Sequence, residues 1–486
     1  MIGRRAFLGA GAALTAALAL DVVPGAARWV PAAGPDGAPR NPYLAGNFAA
    51  VDAEVEASGL AVTGALPPEL EGWFLRVGPN PIDPDPGSYH WFMGDGMVHA
   101  VELRGGRAAS YRNRWVRTDA AAALLGEPPV PGQPAESNPV PNAANTALVL
   151  HAGHLLALYE TSLPTELTPQ LETRGRYDFG GAMRSPMTAH PKLDPGTGEL
   201  LFFGVDFLGP PYLRLHVVDP AGRLVRTTPV DIPAATMMHD FAITRRHVVF
   251  MDLPVVYDLD LLADRPIPAR WAPEHGARLG LLARDGSARA RWFDVPVGYV
   301  FHTLNAYDDG ERVVLDVVRH PKMFDRDVYG VADGHGQVHR WTIDPARERV
   351  TQELVDGRVQ ELPRIDARRV GQPYRYAYTL LTGRSRDRRS PTFLGVAKHD
   401  VRDGRVEEHR FPPGSSPGEP VFVPRGAGED DGWVFVLVHD RARGASDLVI
   451  LDASDFRAAP VARVHLPRRV PNGFHGLWVD DSVGAE

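Results

Sequence analysis

One phrase recurs along the chain: a glycine or charged residue at a turn, then a short apolar run rich in β-branched and aromatic residues. It reads Gly153-His-Leu-Leu-Ala-Leu-Tyr-Glu160, then Gly198-Glu-Leu-Leu-Phe-Phe-Gly204, then Arg246-His-Val-Val-Phe-Met-Asp252. It returns as Gly310-Glu-Arg-Val-Val-Leu-Asp-Val317 and Asp431-Gly-Trp-Val-Phe-Val-Leu-Val438, with Asp447-Leu-Val-Ile-Leu-Asp452 as a hairpin partner. Such runs predict short strands bounded by turns. Successive phrases lie roughly 45–65 residues apart, the length of a four-stranded propeller blade. A body of about 440 residues at about 63 per blade predicts roughly seven blades. The expected fold is all-β: a seven-bladed β-propeller forming a single domain over 46–486. A two-sheet sandwich fits the period less well. Helical periodicity is scarce, and only Ala120–Gly126 predicts a short helix.

The N-terminus breaks this pattern. Arg4-Arg5-Ala-Phe7-Leu8 precedes the Ala-rich apolar run Gly9–Leu20 and the small residues Gly25-Ala26-Ala27. That is the layout of an export signal, here of the twin-arginine type, over 1–28. Residues 29–45, rich in Pro, Gly and Ala, are expected to form a linker. The apolar run falls short of the ~20 residues that span a bilayer. The chain is therefore expected to be exported to the periplasm or beyond.

Composition narrows the chemistry. Gly 49 and Pro 45 suit many tight turns rather than helices. With 52 basic and 60 acidic residues the net charge is −8, which argues against nucleic-acid binding. Only Lys192, Lys322 and Lys398 of the 52 basic residues are lysine. Cysteine is absent, so disulfides, thiolate metal sites, iron–sulfur clusters and a cysteine nucleophile are excluded. Any transition-metal site must use imidazole and carboxylate.

Four of the 18 histidines stand in matching places, three of them just ahead of a strand phrase: His190 in Met-Thr-Ala-His, His239 in Met-Met-His-Asp, His302 in Phe-His-Thr-Leu, and His475 in Gly-Phe-His-Gly near the C-terminus. Their spacings are 49, 63 and 173 residues, one blade twice and then nearly three. One histidine per blade would converge on the propeller axis and make an all-imidazole site for a divalent transition metal. The period alone does not choose iron over zinc, copper or manganese.

At these residues the sequence resembles the carotenoid cleavage oxygenase family, from about Asn47 to the C-terminus. Phe74-Leu-Arg-Val-Gly-Pro-Asn-Pro81 and Trp91-Phe-Met-Gly-Asp-Gly-Met97 look like that family's first-blade signatures. The resemblance implies one Fe(II) per chain on the propeller axis, held by His190, His239, His302 and His475, under a dome of loops and short helices. It implies that Glu160, Glu361 and Glu419 each back one ligand, leaving His190 without a carboxylate. Carboxylates in that place fix an imidazole's tautomer and raise its basicity. Thr146 matches a family threonine whose methyl crowds an open iron position.

The implied reaction is cleavage of a C=C bond in an apolar polyene by O₂, giving two carbonyl products without an external reductant. Phe241, Phe301, Tyr307 and Trp478 flank the ligand motifs and are expected to line the substrate tunnel. Lignostilbene-cleaving relatives carry a lysine just before the first glutamate, where this chain has Tyr159. That favours a carotenoid or apocarotenoid over a stilbenoid. Ala120–Val130 is a candidate patch for peripheral membrane contact. Other readings are stilbenoid cleavage, a retinoid isomerase-like activity, a non-catalytic binding propeller and a zinc hydrolase. The last lacks a carboxylate ligand and a general-base motif.

Overall fold

The computed structural model describes residues 41–136, 138, 140–263, 265–326, 333–384 and 390–481. The export segment 1–28 and most of the 29–45 stretch lie outside the described residues.

The apolar phrases become strands because their alternate side chains bury against neighbouring sheets on both faces. Seven sheets of four or more antiparallel strands result, with an extra two-stranded hairpin, Val255–Tyr257 with Ala269–Trp271. This is the seven-bladed propeller. Each blade is a meander closed by tight turns. Between Ala147–His151 and His154–Leu158 the turn is only Ala152-Gly153, with both residues at positive φ (49° and 78°), the backbone of a two-residue hairpin.

Both chain ends close the ring. The last described strand, Gly476–Asp480, pairs with Gly72–Pro79 of the first blade, and the early strand Val62–Gly64 pairs with Ala462–His465 of the last. Unpaired sheet edges at the seam are thereby covered.

Seven strands surround the axis: Ala147–His151, Lys192–Leu193, Ala242–Ile243, Tyr299–Asp309, Gln360–Ile365, Val421–Pro424 and Gly476–Asp480. The core lies between blades. Its largest fully buried side chains include Trp341, Phe202, Phe203, Phe241, Phe250 and Phe435.

The first-blade signatures build the wall above one end of the axis. Trp91–Met93 forms a single 3-10 turn, and the His90 ring accepts the Phe92 N–H (3.0 Å). Asn145 Nδ2 donates to the carbonyls of Phe92 (2.9 Å) and Gly94 (2.6 Å). Gly96 must be glycine, because a Cβ there would lie 2.2 Å from the Ala144 carbonyl oxygen.

One expectation needs correction here. The linker ends earlier than residue 45: Asn41 and Tyr43 are buried, and the Tyr43 ring stacks on Trp91 (centroids 6.0 Å apart, planes 4° apart). The short helix runs Asp119–Leu125, capped by the Thr118 side chain and ended by Gly126 at φ 74°. Along 120–130, Ala121 and Ala122 are buried, Ala120, Ala123, Leu124, Pro128 and Pro129 are exposed, and Glu127 is paired with Arg117. Among the described residues no helix is long and apolar enough to cross a membrane.

Candidate metal centre

The four histidines predicted to meet do so. One ring nitrogen from each of His190, His239, His302 and His475 lies within 4.8 Å of the others. Each residue sits at or near the start of a different inner strand. The blade period thus becomes convergence at one end of the axis.

Three of the rings are held from behind. His239 Nδ1 donates to Glu160 Oε2, His302 Nδ1 to Glu361 Oε2 (2.6 Å) and His475 Nδ1 to Glu419 Oε1 (2.7 Å). With Nδ1 protonated toward a carboxylate, each neutral ring presents its Nε2 lone pair inward. Nε2 of His190 and of His239 lie 2.9 Å apart, and Nε2 of His302 is buried without a hydrogen-bond partner. Four ring nitrogens converging in this way, one of them without any protein partner, form a set that can hold a cation between them. A four-imidazole set suits Fe, Zn, Cu or Ni and not the oxygen-seeking Ca²⁺ or Mg²⁺. The donor set therefore fits a single transition metal.

The glutamates have further partners that the sequence did not reveal. Glu160 Oε1 accepts from the Tyr257 hydroxyl (2.9 Å). Glu361 Oε1 accepts from His320 Nε2 (2.7 Å). Glu419 Oε2 accepts from the Gly476 N–H (2.8 Å), with Arg364 3.8 Å from Oε1. Tyr257 arrives on the extra hairpin and His320 at the end of Arg312–His320, so neither is flagged by distance along the chain.

The electrostatics follow from this packing. Burial alone would raise the Glu361 and Glu419 carboxyls. His302 and His320 hold Glu361 far below the usual carboxylate range, and Arg364 and His475 lower Glu419. Burial also disfavours imidazolium. His475 falls to about 4 and His190 well below its ordinary value. At His239 burial pulls the same way, but the Glu160 carboxylate outweighs it and raises the ring.

A pH prediction follows for the metal-free protein. His475 and His190, together with buried His216 (about 4) and His399 (about 4), bind protons more readily unfolded than folded. Protons taken up only by the unfolded chain favour unfolding, so stability should fall as pH drops from about 6.5 toward 4. His216 alone contributes about 3 kcal/mol over that window. Urea midpoints at pH 7.5, 6 and 4.5 check this, and a midpoint that holds steady or rises toward pH 4.5 would refute it.

Beside the histidines opens a cavity. Its wall is mostly apolar, with Trp91, Phe92, Met237, Phe301, Phe393 and Phe474 among its members. Thr146, Glu160 and Glu361 also border it. Phe301 lines the cavity as expected, but Phe241, Tyr307 and Trp478 do not. Asp240 Oδ1 accepts the N–H of Phe241 (2.7 Å) and turns that ring into the core between blades, against Phe203 and Phe250. Trp478 packs on Phe435 and Tyr307 on Tyr374. Tyr159 is buried at the cavity wall, and its hydroxyl donates to Met93 Sδ (3.1 Å). Among the described residues the cavity lining holds no lysine or arginine.

Residues 48–480 match the family described as retinal pigment epithelial membrane protein. A carotenoid cleavage oxygenase of Mycobacterium tuberculosis is 39% identical, over 90% of this chain and 97% of its own. Among solved structures, a Synechocystis apocarotenoid oxygenase variant superposes with a TM-score of 0.79 at 30% identity, covering 89% of this chain and 97% of its own. That enzyme also matches in a cobalt-substituted form. A Pseudomonas brassicacearum lignostilbene dioxygenase superposes with a TM-score of 0.82 at 31% identity, covering 91% and 99%.

Proposed function

The chain belongs to the retinal pigment epithelial membrane protein family, the carotenoid oxygenases, and on that premise we propose that it is an Fe(II) dioxygenase cleaving one C=C bond of a carotenoid or apocarotenoid. The observation that carries this reading is the set of four inward-facing imidazoles opening onto an apolar cavity. His190, His239, His302 and His475 would hold the metal. Glu160, Glu361 and Glu419 would set the ring orientations. Bound there, a ferrous ion would supply the activation of O₂.

The chain's own residues do the rest. The alkene and O₂ become two carbonyl products, and O₂ takes up all four electrons, so no side chain must donate or accept a proton. The task left to the protein is orientation and exclusion. Aromatic walls from Trp91, Phe92, Phe301, Phe393 and Phe474 suit a flat, conjugated chain. Thr146 Oγ1 donates to Asn145 Oδ1 (2.9 Å), which leaves the methyl as its unengaged branch at the cavity. That supports its role in crowding one open position at the metal.

Two features favour a polyene over a phenolic stilbene. Tyr159 stands where a phenolate-binding lysine would be needed, and its hydroxyl is already used by Met93. The described lining is mostly apolar, which suits a polyene chain. The Arg4-Arg5 segment supports export by the twin-arginine route, which carries folded proteins.

The test is aerobic incubation of Fe(II)-loaded protein with β-carotene, an apocarotenal and resveratrol, with products read by mass spectrometry. Pairs of polyene carbonyl products that vanish without oxygen or iron are expected. Cleavage of resveratrol alone would overturn the substrate reading. Loaded protein inert on all three would overturn the proposed cleavage of carotenoids.

A further inference from the structure

Among the described residues, no carboxylate hydrogen-bonds the His190 ring. Its position must be set through the backbone, and the backbone here is fastened. Thr188 Oγ1 accepts the His190 N–H (3.2 Å) and donates to the His239 carbonyl (3.0 Å). Two residues past His190, Lys192 Nζ meets Asp240 Oδ1 at 2.7 Å. Asp240 is only 2% exposed, and its Oδ2 accepts both the N–H and the hydroxyl of Thr303 (2.8 Å each). One buried carboxylate thus joins positions 192, 240 and 303. Each lies one or two residues after His190, His239 or His302.

We propose that Lys192 and Asp240 are positioning residues of the metal centre, their ion pair fixing the three neighbouring ligand strands and doing for His190 what a glutamate does for the other ligands. This rests on the reading that the four histidines hold a metal.

The identity of the cation supports it. Arginine fills nearly every basic position in this chain, and lysine is kept at only three. Lys322 pairs with Asp325 at the surface, whereas Lys192 and Lys398 are sequestered in ion pairs. At Asp240 there is no room for a guanidinium's chemistry. Oδ1 already takes the Lys192 ammonium and the Phe241 N–H, and Oδ2 takes both Thr303 donors. The ammonium takes the one site left on Oδ1, whereas a guanidinium fork would need a second free site on the carboxylate to bind in its bidentate geometry. The Lys192 ammonium also lies 5.8 Å from the Phe241 ring centroid, a contact suited to a cation over an aromatic face.

The test compares the wild-type chain with Lys192→Arg, Asp240→Asn and the double variant Lys192→Met/Asp240→Asn. Lys398→Arg, whose ammonium instead binds Asp430 and the Ala453 carbonyl, is the control. Fe(II) and Co(II) affinities are read by chelator competition, the ligand field by the visible bands of the cobalt form, and folding by thermal unfolding of the metal-free protein. Removing both charges together avoids leaving one buried and unpaired, and the thermal unfolding identifies which variants keep their fold. Affinity should fall roughly 10–100-fold in the folded Lys192 and Asp240 variants, the range seen when supports of metal ligands are lost. Their cobalt bands should shift, and the control should match wild type. Wild-type affinity with wild-type bands in the double variant would overturn the proposal. Failure of the wild-type chain itself to bind either metal would instead overturn the metal reading beneath it.

Discussion

Replacing His302 with alanine is expected to remove metal and alkene cleavage together while leaving the propeller folded. His302 sits within Tyr299–Asp309, a strand held along its length by Arg312–His320, so the backbone survives loss of the ring. The ring is what the site needs. Its Nδ1 is committed to Glu361, and its Nε2 is buried without a protein partner. In the variant, Glu361 keeps His320 and the Leu362 N–H, so the fold loses only about 1–3 kcal/mol for one unmade buried hydrogen bond. The metal loses a direct ligand, which should cost more than the roughly 10–100-fold typical of the groups behind ligands. Metal analysis, circular dichroism and product formation on one preparation read all three quantities. Full metal with full activity would remove His302 from the centre.

Much of this centre is visible in the sequence because the fold converts period into place. A histidine at the start of an inner strand comes back to the axis once per blade, so spacings of 49 and 63 residues report the blades as well as the ligands. The structure extends the rule. Thr146, His190, His239, His302, Glu361, Glu419 and His475 stand at or near the starts of the seven inner strands, one per blade. The pattern is hard to see in the chain because residue type changes from blade to blade. Two of those strands, Lys192–Leu193 and Ala242–Ile243, are also only two residues long and carry little strand signal. Glu160 is the exception, reaching His239 from the turn after its blade's second strand.

Side-chain direction is what the sequence withheld. Phe241 follows His239 by two positions and on a regular strand would share its face. The Asp240 side chain bonding the next N–H breaks that alternation. Tyr257 and His320 reach the glutamates only through the dome hairpin and a strand pairing. Tyr43 looks like linker in composition, yet an aromatic cluster with Phe48, Tyr89 and Trp91 buries it.

The three glutamates should not respond alike to amide substitution, and their order tests the hydrogen bonding in detail. A glutamine keeps one acceptor oxygen and turns the other into a donor. At Glu419 both neighbours are donors: His475 Nδ1 and the backbone N–H of Gly476. The backbone cannot change role, so in Glu419→Gln an N–H faces an N–H whichever way the amide turns. At Glu361 the neighbours are two imidazoles and the Leu362 N–H, the last sharing Oε2 with His302 and so fixing the amide oxygen on that side. His320 can change tautomer to accept from the amide, but its Nδ1 is buried without a partner and would then hold an unsatisfied proton, at about 1–3 kcal/mol. At Glu160 the second partner is the Tyr257 hydroxyl, which can rotate and accept. Glu160→Gln should therefore retain metal best, Glu361→Gln should lose affinity roughly 10-fold or more, and Glu419→Gln should lie near the 100-fold end. Chelator competition on the three variants gives the order directly. The hydrogen-bond assignment fails if Glu160→Gln proves the weakest binder, because the partner that adapts at least cost would then have failed to adapt.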